Sequence, residues 1–316
     1  SSVSAKELND QSVTDVESAL QGKTAGVTIQ TANGQPGSAP NITIRGGSSI
    51  NKGSTPLFII DGIQRSSEDF NPDDIETMQI LKDAAATAIY GARASNGVVL
   101  ITTKSGKSGK VNVNLSLRSS FSSLNKNLDY LKGADFLRLQ RPGLLLSFLD
   151  ENSAFGSGAQ PTGTGNSATS SSSTRLLGAG ESIPAGYLAI DDPISDGTLI
   201  FTSTNWEDEL FRTASFKNTH VSVDGANDKI GYYLSIANTD QEGVAVGTDY
   251  KRTSLQSNLN FDLSDKISIS TTFNYINSKL NEPELATRFF GRTLRLAPTV
   301  RKFFDDGTLA PGTSEK

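Results

Sequence analysis

NPDDIETMQILKDAAATAIYGARASNGVVLITTKSG, running from Asn71 to Gly106, is the stretch whose reading decides the fold. Asn71-Pro72 is a helix start, a capping amide followed by a proline at the first helical position. Thr77–Leu81 is predicted as a strand. Asp83 then caps a predicted small-residue helix, Ala84–Tyr90, which Gly91 stops. Asn96-Gly97 turns the chain. Val98–Thr103 is a continuous apolar run, as expected for a strand buried on both faces. Helical and extended segments are mixed within this one short stretch.

The residues before it extend the same domain. Val16, Ala19 and Leu20 fall at i, i+3 and i+4, giving a predicted helix over Thr14–Gln21 with one apolar face. Ser12 caps its start and Gly22 ends it. Val27–Gln30 reads as a short strand. Gly and Pro crowd Asn33–Pro40, marking turns. In Asn41–Arg45, Ile42 and Ile44 alternate with polar neighbours, the pattern of a half-buried strand. Ser48–Pro56 is a polar loop, Leu57–Ile60 a buried strand and Asp61-Gly62 a tight turn.

The residues after it change in kind. Val111, Val113, Leu115 and Leu117 alternate with Asn112, Asn114, Ser116 and Arg118, a period of two with one apolar and one wet face. Further alternating strands are predicted over Ser215–Asp224, Lys229–Thr239, Tyr250–Asp262 and Ile267–Ser278. Within Lys251–Leu263, Leu255, Leu259, Phe261 and Leu263 share the apolar face, opposite Arg252, Ser254, Gln256, Asn258, Asn260 and Asp262. The connections Gly225–Asp228 and Ser264-Asp265-Lys266 are short, and Asp240–Asp249 is long. Short turns at one end and long loops at the other suit a transmembrane β-barrel, while a soluble β-sandwich alternates its faces in the same way. Asn152–Thr174 is a Ser/Gly/Thr-rich run with too little apolar content to fold by itself.

Composition narrows the classes. The 316 residues are 35% hydrophobic, with 29 glycines, no cysteine and a formal net charge of −5. A length of that order suggests about two domains. The apolar share lies below the roughly 45–50%, glycine included, of ordinary domains, which suits strands with polar faces and many turns. The negative balance, spread along the chain, argues against nucleic acid as partner. Without cysteine there is no disulfide frame and no thiolate metal site. No run of about 18 apolar residues exists, so no transmembrane helix is expected, whereas barrel strands span with about 9–11 weakly apolar residues.

Catalytic signals fail one by one. His220, the single histidine, lies on an alternating strand with no second histidine for a metal cluster and no nucleophile elbow for a triad. Asp73, Asp74 and Glu76 sit at a helix start, where negative charge complements the dipole. Gly22-Lys23-Thr24 and Gly106-Lys107-Ser108 lack the glycine a phosphate loop needs five positions earlier. Asp191-Asp192 and Asp305-Asp306 are loop carboxylates with at most weak cation affinity. The sequence therefore predicts no enzyme activity and no cofactor.

The Asn71–Gly106 stretch closely resembles the signature region of SusC/RagA-type TonB-linked outer-membrane transporters. The resemblance rests on Asp74, Ile75, Glu76, Leu81, Lys82, Asp83, Ala84, Ile89, Tyr90, Gly91, Arg93, Ala94, Asn96, Gly97, Val98 and Ile101–Lys104. ALQGKTAGV (Ala19–Val27), GQPGSAPNITIRGGSSI (Gly34–Ile50) and PLFIIDGI (Pro56–Ile63) look like earlier segments of the family's plug. NWEDELFRTA (Asn205–Ala214) and DQEGVAVGTDYKR (Asp240–Arg252) look like its first barrel hairpins. Leu144–Gly197 matches poorly, and no TonB-binding segment is recognisable before Ser12.

The resemblance implies an α+β plug domain over residues 1–110, followed over 111–316 by the first strands and loops of an antiparallel transmembrane β-barrel, incomplete because about five strands cannot close one. It implies import of oligosaccharide or peptide through the outer membrane of a Gram-negative cell, driven by the TonB complex, under a SusD-like surface lipoprotein and within outer-membrane lipid. Arg45 and Lys82 stand at plug positions that are basic across such receptors, which implies either a latch onto glutamates of the barrel wall or a static ion pair inside the plug. Ser48, Asn51, Lys52, Gln64 and Arg65 lie in loops expected to face substrate. A soluble β-rich binding or adhesion module is the rival reading.

Overall fold

The computed structural model describes residues 2–4, 16–30, 34–44, 55–67, 70–82, 88–125, 129–146, 172–282, 291, 294, 296–303 and 308. Arg45, Ser48, Asn51, Lys52, Asp83 and the low-complexity run up to residue 171 lie outside them. The chain forms two compact units, Ser1–Ser123 with Thr213–Pro283, and Leu124–Arg212 with Glu284–Lys316.

The first unit holds a mixed sheet. Its strands are β1 (Ser2–Ser4), β4 (Leu57–Ile60), β5 (Ile63–Gln64), β6 (Ile75–Leu81) and β7 (Val98–Thr103), in the order β1-β6-β7-β4-β5. β4 runs parallel to β7 and β6 antiparallel to it. The Asp61-Gly62 turn joins β4 to β5 with both residues at positive φ, 49° and 82°, as a two-residue hairpin turn requires. A separate ribbon pairs β2 (Val27–Gln30) with β3 (Asn41–Ile44). The predicted helix near residue 14 is described as Val16–Ala19.

The core explains the sequence pattern. Val99 and Ile101 of β7 pack in one cluster with Val16, Leu20, Ile42, Ile44, Phe58 and Met78. Val98 packs on the other face with Ile59 and Ala94, and Leu100 lies against them. β7 thus has apolar contacts on both faces, and its residues do not alternate. Asn71 caps a 3₁₀ turn, Pro72–Asp74, its side chain accepting from the Asp73 N–H at 3.1 Å. Of the predicted helix Ala84–Tyr90 only the end is described. It is 3₁₀ in form and is broken at Gly91, whose φ of 69° and ψ of −162° no helix accommodates. Gly91 therefore ends the first helical segment, and a second one runs on to Asn96.

The same unit carries a second sheet of five long strands. β8 (Asn112–Ser122), β12 (Ala214–Ala226), β13 (Ile230–Glu242), β14 (Asp249–Ser264) and β15 (Ile267–Asn281) form it, ordered β15-β14-β13-β12-β8 and antiparallel throughout. The predicted strands are all present, each slightly longer than its alternating core. Asn227–Lys229 and Asp265-Lys266 are short turns at one end, and Gly243–Thr248 is the longer loop at the other.

The second unit holds β9 (Arg175–Leu176), β10 (Leu188–Asp191) and β11 (Thr198–Phe201), ordered β10-β11-β9, with helices Gly133–Leu146 and Trp206–Leu210. A buried ion pair ties it together, Arg141 gripping Asp192 through Nε at 2.7 Å and Nη2 at 2.5 Å. Burial opposes ionisation of Asp192, yet the Arg141 guanidinium and the Ser195 hydroxyl hold its carboxyl below the usual range. The indole N–H of Trp206 donates to the Ala297 carbonyl at 3.1 Å, so this residue is a packing anchor of its own unit.

Candidate functional site

The long sheet is oriented opposite to a soluble one. Its buried face is polar: Asn218, His220 and Ser222 on β12, Ser235 and Thr239 on β13, and Ser254, Gln256 and Asn258 on β14 are all buried. Its apolar face is open. Pairing aligns Leu115, Val221, Ile236, Leu255 and Tyr275 in one cross-strand row, with relative exposures of 64%, 36%, 52%, 38% and 53%. Nearer the long-loop end, Lys217, Asp240, Lys251 and Lys279 form a charged row. From Thr253 to Leu263, about 11 residues at roughly 3.4 Å each, tilted by roughly 45°, cover about 25 Å, the height of a lipid-facing band.

The mixed domain docks on the polar face through the turn that opens the signature stretch. Pro at the first helical position and the Asn71 cap fix that turn, and both following carboxylates face the long sheet. Asp74 is 1% exposed. One of its oxygens, Oδ1, accepts from Tyr233 Oη at 2.8 Å, Ser235 Oγ at 2.6 Å and His220 Nε2 at 3.0 Å. A buried carboxylate is tolerable only with such partners. Asp73 pairs with Arg118 of β8 at 2.6 Å. Asn71 Nδ2 donates to Ser254 Oγ at 3.0 Å. Lower on the wall, Asn258 Nδ2 donates to Thr103 Oγ1 and to the Lys104 carbonyl, each at 2.6 Å.

Beside this contact lies a polar cavity of about 490 Å³, lined among others by Asp73, Glu76, Lys107, Arg118, His220 and Asp224. Lys107 bridges to Glu76 at 2.9 Å, and that hydrogen bond raises the ammonium pKa above its ordinary value. No group of three or more potential metal ligands occurs among the described residues.

The residues singled out from sequence distribute unevenly. Asp74 is the centre of the contact, although its position at a helix start explains it without any partner. Lys82 donates to the Ala25 carbonyl inside the mixed domain. Arg65 reaches the long sheet, its Nη2 donating to Asn274 Oδ1 of β15 at 3.1 Å. Gln64 accepts from Arg93 at 3.3 Å, and Asn96 donates to the Thr55 carbonyl at 3.4 Å, so these signature groups brace loops of their own domain. Gly97, at φ 94°, sits against Ile44, where a Cβ would approach Cδ1 to 2.8 Å. Ile75 is a core residue, and Tyr90 packs beside the Ile59 cluster.

Sequence reasoning missed Tyr233, Ser235 and Arg118 as partners. Their one visible signal was membership of the wet face of an alternating strand. Among the described residues the ion pair from turn to wall, Asp73 to Arg118, has the acid on the mixed domain and the base on the wall, the reverse of the expected latch.

A compact α+β domain seated on the polar face of long antiparallel strands, whose apolar face points outward, is the architecture of a plugged β-barrel receptor. The family model of the TonB-dependent receptor plug domain matches residues 1–98. The TonB-dependent receptor SusC of Bacteroides thetaiotaomicron is 34% identical over 80% of this chain. The solved RagAB peptide importer, in its closed-closed state, aligns over 98% of this chain and 34% of its own, with 26% identity and a TM-score of 0.74. The chain belongs to the SusC/RagA-type TonB-dependent receptors and comprises their plug and first wall strands. It spans about a fifth of the length of the curated relatives it matches, 22% for SusC.

Proposed function

We propose that this chain is the plug-bearing part of an outer-membrane importer of large nutrients, oligosaccharide or peptide, in a Gram-negative cell. The observation that carries the reading is the inverted long sheet, polar toward the plug and apolar outward. An outward apolar surface of that height is stable in lipid and an aggregation hazard in water, which disfavours the soluble adhesion module. In this reading residues 1–110 are the plug and 111–316 contribute wall strands and loops, the short turns facing the periplasm and the long loops the exterior.

The mechanism needs no covalent chemistry and no cofactor. Substrate binds from the long-loop end under a SusD-like lipoprotein lid. The TonB complex then pulls on the plug, and the polar contacts to the wall break. Asp73 and Asp74 serve as the latch, with Arg118, His220, Tyr233 and Ser235 as its wall side. Every one of these bonds joins polar groups that water can also satisfy, so a displaced plug leaves hydrated rather than orphaned partners. Arg45 and Lys82 are further basic latch groups in this proposal, and Ser48, Asn51, Lys52, Gln64 and Arg65 line the substrate side.

The test is nutrient uptake by cells carrying the complete gene. Import of labelled oligosaccharide or peptide is expected to require this gene, an intact TonB system and the proton gradient. Recovery of the protein from the soluble fraction, or uptake indifferent to loss of TonB, overturns the reading.

A further inference from the structure

The inward face of the wall carries three basic side chains on its central strands and β8, and two of them are answered. Arg118 has Asp73 and His220 has Asp74. The third is Arg252 of β14. It is 5% exposed, and its side chain has no hydrogen-bond or ion-pair partner among the described residues, with Nε fully enclosed. The pairing register places it in one inward row, Arg118–Asn218–Thr239–Arg252–Ser278. In that row Asn218 spends its amide on Thr239, and its Oδ1 is likewise buried without a partner.

An arginine only 5% exposed, with its Nε enclosed and no carboxylate partner among the described residues, is costly, whereas the neighbouring inward positions hold the neutral Thr239, Ser254 and Gln256. Its place is informative. The row lies one step nearer the long-loop end than the row of His220 and Ser254, and the turn Asn71–Asp74 is anchored in both, by Asp73 on Arg118 in the first and by Asp74 on His220 and Asn71 on Ser254 in the second. The carboxylates around it are engaged elsewhere: Asp240 faces Lys251 on the outer side, and Asp249 accepts from Asn281. Above it the plug segment at Gly37 covers the wall, its N–H donating to Gln241 and its Cα lying against the Tyr250 ring. Arg252 is thus an inward-facing positive charge with no partner among the described residues, in the row next to the plug segment at Gly37, while Arg118 of the same row is neutralised by Asp73.

We infer that Arg252 is a carboxylate-binding position on the import path, engaged by an anionic nutrient when the plug shifts. Guanidinium is the side chain best shaped to take a carboxylate through two parallel hydrogen bonds. An acidic oligosaccharide and a peptide terminus offer the same chemistry. The inference rests on the import reading above.

The experiment uses cells carrying the complete gene and two matched pairs of probes: an oligogalacturonate with its neutral galactose counterpart, and a peptide with its C-terminal amide. Surface abundance of each variant is measured alongside uptake. In Arg252→Gln, uptake of the carboxylate member of one pair is expected to fall about tenfold while its neutral partner is unchanged, the loss expected for one charge-assisted contact. Arg252→Lys restores part of it. The pair that responds identifies the source of the carboxylate. Equal losses for both members indicate that Arg252 only braces plug and wall, and overturn the inference, as does no loss in either pair or a wild type that imports only neutral probes. A wild type that imports nothing at all removes the import reading itself, before any variant is compared.

Discussion

The plug and the wall are built from the same alternating and apolar strand patterns, yet they bury opposite faces. In the plug, Val99, Ile101 and Met78 are sealed inside. In the wall, Gln256 and His220 are sealed while Leu115 and Phe273 are open. A period of two states only that two faces differ. Which one is buried depends on the medium outside and on what is seated inside. The interface reconciles the two: a turn with acid side chains from the plug meets Arg118, His220, Tyr233 and Ser235 of the wall.

The sharpest way to break this comparison is at Asp74. Asp74→Ala leaves Tyr233, Ser235 and His220 without their acceptor, and removal of one side of such a buried set costs about 3–5 kcal/mol. Hydrogen exchange in the complete protein in detergent is expected to rise over Ile75–Leu81 and over β13 together. Unchanged protection there means that the turn does not anchor the plug.

The outward face is tested next. Leu259→Arg places a charge at mid-height of the apolar face and is expected to cost about 2–4 kcal/mol in a bilayer, while Thr253→Arg, beside the charged row, costs about 0–1. Folding titrations into vesicles read the difference. Equal costs at the two depths remove the lipid-facing assignment.

Inside the plug, Gly97→Ala meets both a positive φ and the Ile44 side chain, and a loss of about 1–3 kcal/mol is expected. Proteolytic release of the β3 region serves as the readout, and a neutral outcome shows that Ile44 yields. The smallest effect is the pH response of the Lys107–Glu76 bridge. The Lys107 pKa is raised in the folded state, so its contribution is complete below the unfolded value of about 10.4 and fades as pH rises through the higher folded value. Being largely solvent-facing, it contributes a few tenths of a kcal/mol, measurable as a loss of plug protection above that pH that Lys107→Ala abolishes.

Much of the fold is legible in the residues. The Asn71-Pro72 cap, the two-sided β7, the Asp61-Gly62 hairpin and the five alternating strands follow from local rules of capping, φ and periodicity. The helix Gly133–Leu146 and the β9–β11 sheet escaped, because the first is assembled around a proline at 142 and the second from strands of two to four residues. The site was legible only as a family signature. Asp74 has a sufficient local explanation in the helix start, and nothing near it in sequence announces Tyr233 or Ser235, more than 150 positions away.

By itself the sequence determined where the chain turns, which residues alternate, and that the chain has no thiol and a single histidine, since these depend on residue type and near spacing. Tertiary structure alone decided which face of each wall strand is buried, the sign of the plug–wall ion pairs, and the isolation of Arg252. Those are set by burial and by partners distant along the chain, which desolvate a charge or leave it unanswered whatever its neighbours in sequence.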